Sequence, residues 1–215
     1  MVRGVRTPPK MSDLHPWLRV RVMSLAESHR TANPGTALCL IWGIRSAEEQ
    51  QKAYKAGRSK INGTTKFSLH QYGLAADLWV YTDAQGTVLY ENRPPKSEGL
   101  ELQLLQRGSL KGWYIPMGYL AEMEGLEAGA LWRTFRDGPH VQVPKLERTV
   151  LLQDLLNARG FSVGEPDGKV GPRTRAGIQS AAHESGLSGA PNGRLLAVRP
   201  ALWHWLVGED THGVA

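Results

Sequence analysis

Ser68-Leu69-His70-Gln71-Tyr72-Gly73-Leu74-Ala75-Ala76-Asp77-Leu78 decides how this chain is read. A histidine and an aspartate stand seven residues apart across a glycine, and the apolar run from Gly73 to Tyr81 reads as a strand with Asp77 inside it. Strand side chains alternate faces, so this odd spacing within one strand would send the two groups apart. His70 is therefore expected in the loop before the strand, where Gly73 lets the chain bend and the imidazole and carboxylate converge. Far downstream, Phe135-Arg136-Asp137-Gly138-Pro139-His140 supplies a second histidine, with Pro139 fixing the backbone in front of it.

Outward from that stretch, the pattern predicts an α+β unit. Ser12 or Asp13 caps a first helix, along which Leu14, Leu18, Val22 and Leu25 recur at helical spacing. Ala37 to Ile44 is a buried strand, and Ser46-Ala-Glu-Glu49 is a capping box opening a helix that Gly57 ends. Residues 57–66 have turn chemistry and read as an exposed loop. Asp83-Ala-Gln-Gly86 turns the Gly73–Tyr81 strand back into Thr87–Tyr90 as a hairpin. Leu100–Leu105 reads as helical, Trp113–Met123 as a mixed apolar stretch, and His140–Val143 as a short strand stopped by Pro144. The expected architecture is a small central antiparallel sheet flanked by helices.

The pattern changes from Leu146. Val150, Leu151, Leu155 and Leu156 make an amphipathic helix ended by Gly160, a Gly/Pro-rich turn follows from Gly164 to Pro172, a second helix runs to about Ser185, and Pro200 opens a third. Three short helices predict a small bundle. The expected organisation is a flexible arm at 1–10, one domain at 11–145 and the bundle at 146–210.

Composition narrows the classes. The formal net charge is +6, and the basic excess lies wholly in residues 1–145, with 19 Lys+Arg against 13 Asp+Glu, whereas residues 146–215 balance at 7 each. Such a surface favours polyanions without choosing among nucleic acid, anionic lipid and acidic wall polymer, and a solvated surface with no specific partner fits equally. Cys39 is the single cysteine, so no intrachain disulfide forms, and its apolar neighbours predict a buried thiol. No window approaches the roughly 20 apolar residues of a membrane span, and the basic N-terminus is followed by no apolar signal segment. Stable membrane insertion is not expected.

Two histidines and a carboxylate form a three-ligand set suited to one catalytic Zn2+, leaving a fourth tetrahedral position for water. Zinc polarises a carbonyl and lowers the pKa of water toward about 7. A general base must still take the proton and return it to the leaving amine, and Asp137, three residues before His140, is the candidate. Spacing alone leaves metal binding and ordinary packing both open. For His15, His29, His183, His204 and His212 a structural or exposed role is expected.

At these residues the chain resembles the zinc D,D-/L,D-peptidases, a family that includes peptidoglycan carboxypeptidases, D-Ala-D-Ala dipeptidases and L-alanyl-D-glutamate peptidases used as bacteriophage endolysins. The likeness spans about residues 12–143. The motif Ser-x-His-x-x-Gly-x-Ala-x-Asp stands at Ser68–Asp77 and the acidic-x-x-His motif at Asp137–His140. The resemblance implies His70, Asp77 and His140 as zinc ligands and Asp137 as the catalytic base. It also picks out Gly43-Ile-Arg45-Ser46 followed by Gln50, implying that Arg45, with Gln50 and Ser68, binds substrate. The guanidinium fork of Arg45 suits a carboxylate or an oxyanion, though a surface ion pair or a plain turn hydroxyl are the ordinary roles of Arg45 and Ser68. One departure stands out. Where endolysin-type relatives carry Trp-Gly-Gly, this chain has Gly125-Leu-Glu-Ala-Gly-Ala-Leu-Trp132, which leaves a packing role to Trp132 and bears on bond preference.

Residues 148–207 resemble the small three-helix peptidoglycan-binding domain of wall hydrolases, through Leu152-Gln153, Gly160, Asp167-Gly-Lys-Val-Gly171, Thr174, Ala176 and Ile178-Gln179. The alternative is a bundle that merely packs against the peptidase. The expected function is a monomeric endolysin-type peptidoglycan hydrolase cleaving the L-Ala–D-Glu bond of the stem peptide. It would be made in the host cytoplasm without a signal peptide, reach the wall through holes made by another protein, and take no nucleic acid as partner. The alternatives are a D,D-carboxypeptidase or D-Ala-D-Ala dipeptidase on the same zinc site and, in another class, a non-catalytic wall- or nucleic-acid-binding protein. Asp137 argues against the last.

Overall fold

The computed structural model describes residues 8–82, 86–91, 110–188 and 198–208. Contacts divide the chain into two compact units, Met1–Ile44 with Gly73–Val143, and Arg45–Tyr72 with Pro144–Ala215.

The first unit is built on a five-stranded sheet of order β3-β1-β2-β5-β4, made of β1 (Thr36–Trp42), β2 (Ala75–Thr82), β3 (Leu89–Tyr90), β4 (Glu127–Ala128) and β5 (His140–Gln142). Antiparallel β1 and β2 supply the centre, where Leu38, Leu40, Leu78 and Val80 are fully buried. Helix α1 (Pro16–Ala32) buries Leu18, Val22, Leu25 and His29. Its start differs from expectation. Met11–Asp13 forms a short turn whose N-terminal Lys10 N–H is taken by the Asp13 carboxylate, and α1 begins later with Pro16, capped by the His15 ring accepting from the Trp17 N–H. Proline disfavours a helical residue before it, which excludes a helix running through His15 from Ser12 or Asp13. Helix α3 (Ile115–Met123) lies within the stretch expected to be apolar and buries Met117 and Ala121.

The expected hairpin is not formed. Leu89–Tyr90 pairs parallel with β1, through Leu38 opposite Leu89 and Cys39 opposite Tyr90, instead of returning antiparallel onto β2. Both edges of β2 are already taken, by β1 and by β5, so this segment joins the open edge of β1. The sheet is thus antiparallel except at this short pair. Leu100–Leu105 lies outside the described residues. Cys39 is buried, as its apolar neighbours imply.

In the second unit, α2 (Ala47–Lys55) opens with the reciprocal bonds of the Ser46/Glu49 capping box. The bundle helices are α4 (Lys145–Ala158), α5 (Pro172–Ser185) and α6 (Pro200–Val207), and Leu152, Leu156, Ile178, Ala181, Leu202 and Trp203 are buried in this unit. Gln153 organises the Asp167-Gly168-Lys169 turn. Its carbonyl oxygen accepts from the N–H groups of Asp167 and Gly168, and its amide donates to the Asp167 carboxylate, the Lys169 carbonyl and the Thr174 hydroxyl. That turn is therefore held by a buried glutamine. Among the described residues no helix is long and apolar enough to cross a membrane.

Candidate metal centre

Two of the three candidate ligands are set by strand pairing. Asp77 on β2 stands directly opposite His140 on β5, so both side chains leave the same face of the sheet. The His140 Nδ1 lies 3.1 Å from the Asp77 Oδ1, and both residues are buried. The ladder continues into the preceding turn, where the Pro139 carbonyl accepts the Leu78 N–H at 2.8 Å.

His70 is placed differently. It lies on a single 3-10 turn, Leu69–Tyr72, immediately before Gly73, whose φ of +67° gives the bend expected there. A side chain at Gly73 would also put its Cβ 3.0 Å from the Asp13 carbonyl, so both the backbone and the space exclude one. Three donor atoms, one each from His70, Asp77 and His140, lie within 4.8 Å of one another. Tetrahedral zinc with bonds of about 2.0–2.1 Å holds its ligand atoms about 3.3 Å apart, which the Asp77–His140 pair already matches. The residues present fit a catalytic zinc in chemistry and number.

The far side of His140 fixes which nitrogen faces that centre. Its Nε2 lies 2.9 Å from the Gln142 Oε1, and the Gln142 amide donates to the Glu127 carboxylate at 2.8 Å. The amide oxygen can only accept, so Nε2 carries the proton and Nδ1 is left as the ligand atom. Burial pulls the His140 pKa down, but the bond and charge of Asp77, the Gln142 bond and the charge of Asp137 outweigh it, and the net direction is up. Trp132 packs its ring 5.3 Å from that of His140, in keeping with the packing role expected of it. Gln142 and Glu127 were not expected from the sequence. The signal for Gln142 was there: two residues after His140 on one strand, it must share its face.

Asp137 is half-buried on the turn before β5, where its N–H donates to the Gly129 carbonyl and its own carbonyl accepts the His140 N–H. Gly129 permits this approach, since a Cβ there would sit 2.5 Å from the Asp137 carbonyl oxygen. The Asp137 and Asp77 charges both reach Tyr114, whose hydroxyl burial foremost pushes upward, so it stays a neutral phenol.

The substrate-side candidates occupy the segment before His70. Arg45 is half-buried, its N–H donating to the His70 carbonyl at 3.0 Å and its guanidinium to the Gln50 Oε1 at 3.4 Å. Gln50 is wholly buried, and its amide donates to the Ser59 hydroxyl and the Ile61 carbonyl. This puts Gln50 behind Arg45, bracing the 59–61 loop, where direct substrate contact was expected. The Ser68 hydroxyl is buried and accepts weakly from the His70 N–H at 3.4 Å. Gln71, unforeseen, ties the turn down by accepting the Ser68 N–H and donating to the Gly63 carbonyl.

Comparison with known proteins gives three similarities. A family model described as D-alanyl-D-alanine carboxypeptidase matches residues 62–143, the stretch that holds all three candidate ligands and Asp137. The chain is 29% identical over 140 residues to the peptidoglycan L-alanyl-D-glutamate endopeptidase CwlK of Bacillus subtilis (strain 168), a match covering 63% of this chain and 76% of the relative. Among solved structures, the L-Ala D-Glu endopeptidase ChiX of Serratia marcescens aligns with a TM-score of 0.41 and 22% identity, over 68% of this chain and 95% of that one.

Proposed function

We propose that this chain is a zinc metallopeptidase of the D,D-/L,D-peptidase kind it resembles and that it hydrolyses bacterial peptidoglycan at the L-Ala–D-Glu bond of the stem peptide. The observation that carries the proposal is the convergence of His70, Asp77 and His140 with Asp137 on the turn leading into His140. Bound zinc would polarise the scissile carbonyl and acidify the attacking water. His70 and His140 Nδ1 offer neutral nitrogens, and Asp77 offers the one charge of the set. Asp137 accepts the proton of the attacking water and returns it to the departing amine. Arg45, held from behind by Gln50, presents its fork to a substrate carboxylate or to the carbonyl oxygen as charge develops on it. Ser68 steadies the His70 turn.

The two similarities point to different bonds, that of a D-alanyl-D-alanine carboxypeptidase for the family model and that of an L-alanyl-D-glutamate endopeptidase for the relative. The second is preferred because its match reaches well beyond the ligand motifs. The bundle at 146–210 is proposed to hold the enzyme on the polymer, raising its effective concentration there, as suits a lytic, endolysin-type use. Digestion of purified peptidoglycan, followed by mass spectrometry of the fragments, tests the choice of bond. New N-terminal glutamate is expected, and release of free D-Ala or D-Ala-D-Ala would move the enzyme to the carboxypeptidase or dipeptidase reading.

A further inference from the structure

The turn that carries His70 is too short to hold itself. A single 3-10 turn has few bonds of its own and poor geometry in those it makes, yet every residue of Leu69–Tyr72 is buried, so its backbone groups need partners from elsewhere. One comes from the C-terminal helix α6, and the Tyr72 side chain adds an anchor to the chain entering that helix. The buried His204 ring places Nε2 2.8 Å from the Gln71 carbonyl oxygen. A carbonyl only accepts, so Nε2 carries the proton and His204 is the donor. The Tyr72 hydroxyl donates to the Val198 carbonyl at 2.9 Å, and the Tyr72 ring meets Trp203 edge-on at 6.2 Å between centroids. Gln71 and Tyr72 are the residues that follow His70, and Gln71 is bonded again through its side chain to Ser68 and Gly63.

We propose that α6 is a positioning element of the metal centre: His204, with the Tyr72–Val198 bond and the Trp203 contact, locks the Leu69–Tyr72 turn and thereby holds His70 in place for zinc. A bundle serving only as a tether needs no buried polar contact with a ligand-bearing turn. Such contacts carry a consequence that a tether does not. Coupling between two sites is reciprocal, so α6 strengthens zinc binding and zinc must in turn steady α6. The proposal rests on the metal-site reading above and is independent of which bond is cleaved.

The test is zinc affinity by competition with a chromophoric chelator, measured on the full chain for wild type, His204→Leu, His204→Gln, Tyr72→Phe and Thr174→Val. Circular dichroism checks folding, and the cobalt-substituted spectrum reports the ligand field. His204→Leu is expected to weaken zinc about 10-fold or more, the scale of lost outer-shell support, and to shift the cobalt bands. Tyr72→Phe should act in the same direction. His204→Gln, whose amide can still donate, should recover most of the affinity. Thr174→Val removes an equally buried bond of the bundle, that with Gln153, and should bind like wild type. Adding zinc to wild type should slow hydrogen exchange in 200–207. Wild-type affinity and spectra in both His204→Leu and Tyr72→Phe would overturn the proposal, as would an equal loss in Thr174→Val; if His204→Leu does not fold, Tyr72→Phe decides. Wild type that takes up no zinc would instead overturn the metal-site reading itself.

Discussion

Asp77 and His140 reach the candidate metal centre by one physical route and His70 by another. The first two face each other across neighbouring strands, so the β2–β5 ladder sets their separation and side-chain bonds only tune them. His70 sits on one short turn whose position depends on brackets made by Gln71, Arg45, Tyr72 and His204, three of them through side chains. A ladder ligand is therefore hard to displace and easy to retune, whereas a turn ligand is vulnerable to substitutions that never touch the metal.

The largest expected effect comes from cutting into the ladder pair itself. Asp77→Ala removes a ligand and its charge, and zinc affinity should fall by more than the roughly 100-fold upper range seen for outer-shell losses, with peptidase activity abolished. Zinc content after dialysis against a weak chelator measures it. Next, Gln142→Leu keeps the ladder but frees the His140 Nε2 and leaves Glu127 without its amide partner. A loss of about 10- to 100-fold in zinc affinity is expected with little change in folding, and unaltered affinity would show that the ladder alone orients His140. On the turn side, Gln71→Leu strips partners from the Ser68 N–H and the Gly63 carbonyl. It should lower unfolding free energy by about 1–3 kcal/mol in denaturant titrations, with loosened zinc binding beside it. An undisturbed stability would remove the side-chain brackets from the comparison.

The smallest effect lies outside both arrangements and serves as their control. His29 is fully buried between α1 and β1, bonded to the Thr36 hydroxyl at 3.1 Å, and burial pushes its pKa down to about 4. The folded chain keeps it neutral while the unfolded chain protonates it near the ordinary 6.5, so its contribution is full above pH 6.5 and is lost as pH falls toward 4. Between pH 6.5 and 5.5 this slope amounts to roughly 1 kcal/mol. His29→Gln should flatten it, as read from denaturant midpoints at the two pH values, without altering zinc affinity at pH 7.

The comparison also explains what could be read from the residues alone. His70 and Asp77 were legible as candidates because their chemistry and the bend at Gly73 form a local pattern, while His140 was picked out by the separate Asp137–His140 motif of the resemblance. The facing of Asp77 and His140 was not, since register between strands 63 residues apart depends on which partners win each edge. The same competition sent Leu89–Tyr90 to β1, against the local turn signal at Gly86. Gln142 could have been found from strand alternation. His204 could not, because its partner lies 133 residues away on a carbonyl that any residue would provide. Gln50 gave a family position without its depth, and burial behind Arg45 emerged only when the 59–61 loop was in place.

The proposed function rests on a candidate metal centre with Asp137 as its proposed general base. Its most direct test is zinc content and peptidoglycan-clearing activity of Asp137→Ala beside wild type in the same preparation. About one zinc per chain is expected in both proteins, with activity lost in the variant by at least the roughly 100-fold typical of a missing general base. A variant that keeps its zinc and still clears peptidoglycan at the wild-type rate would contradict it.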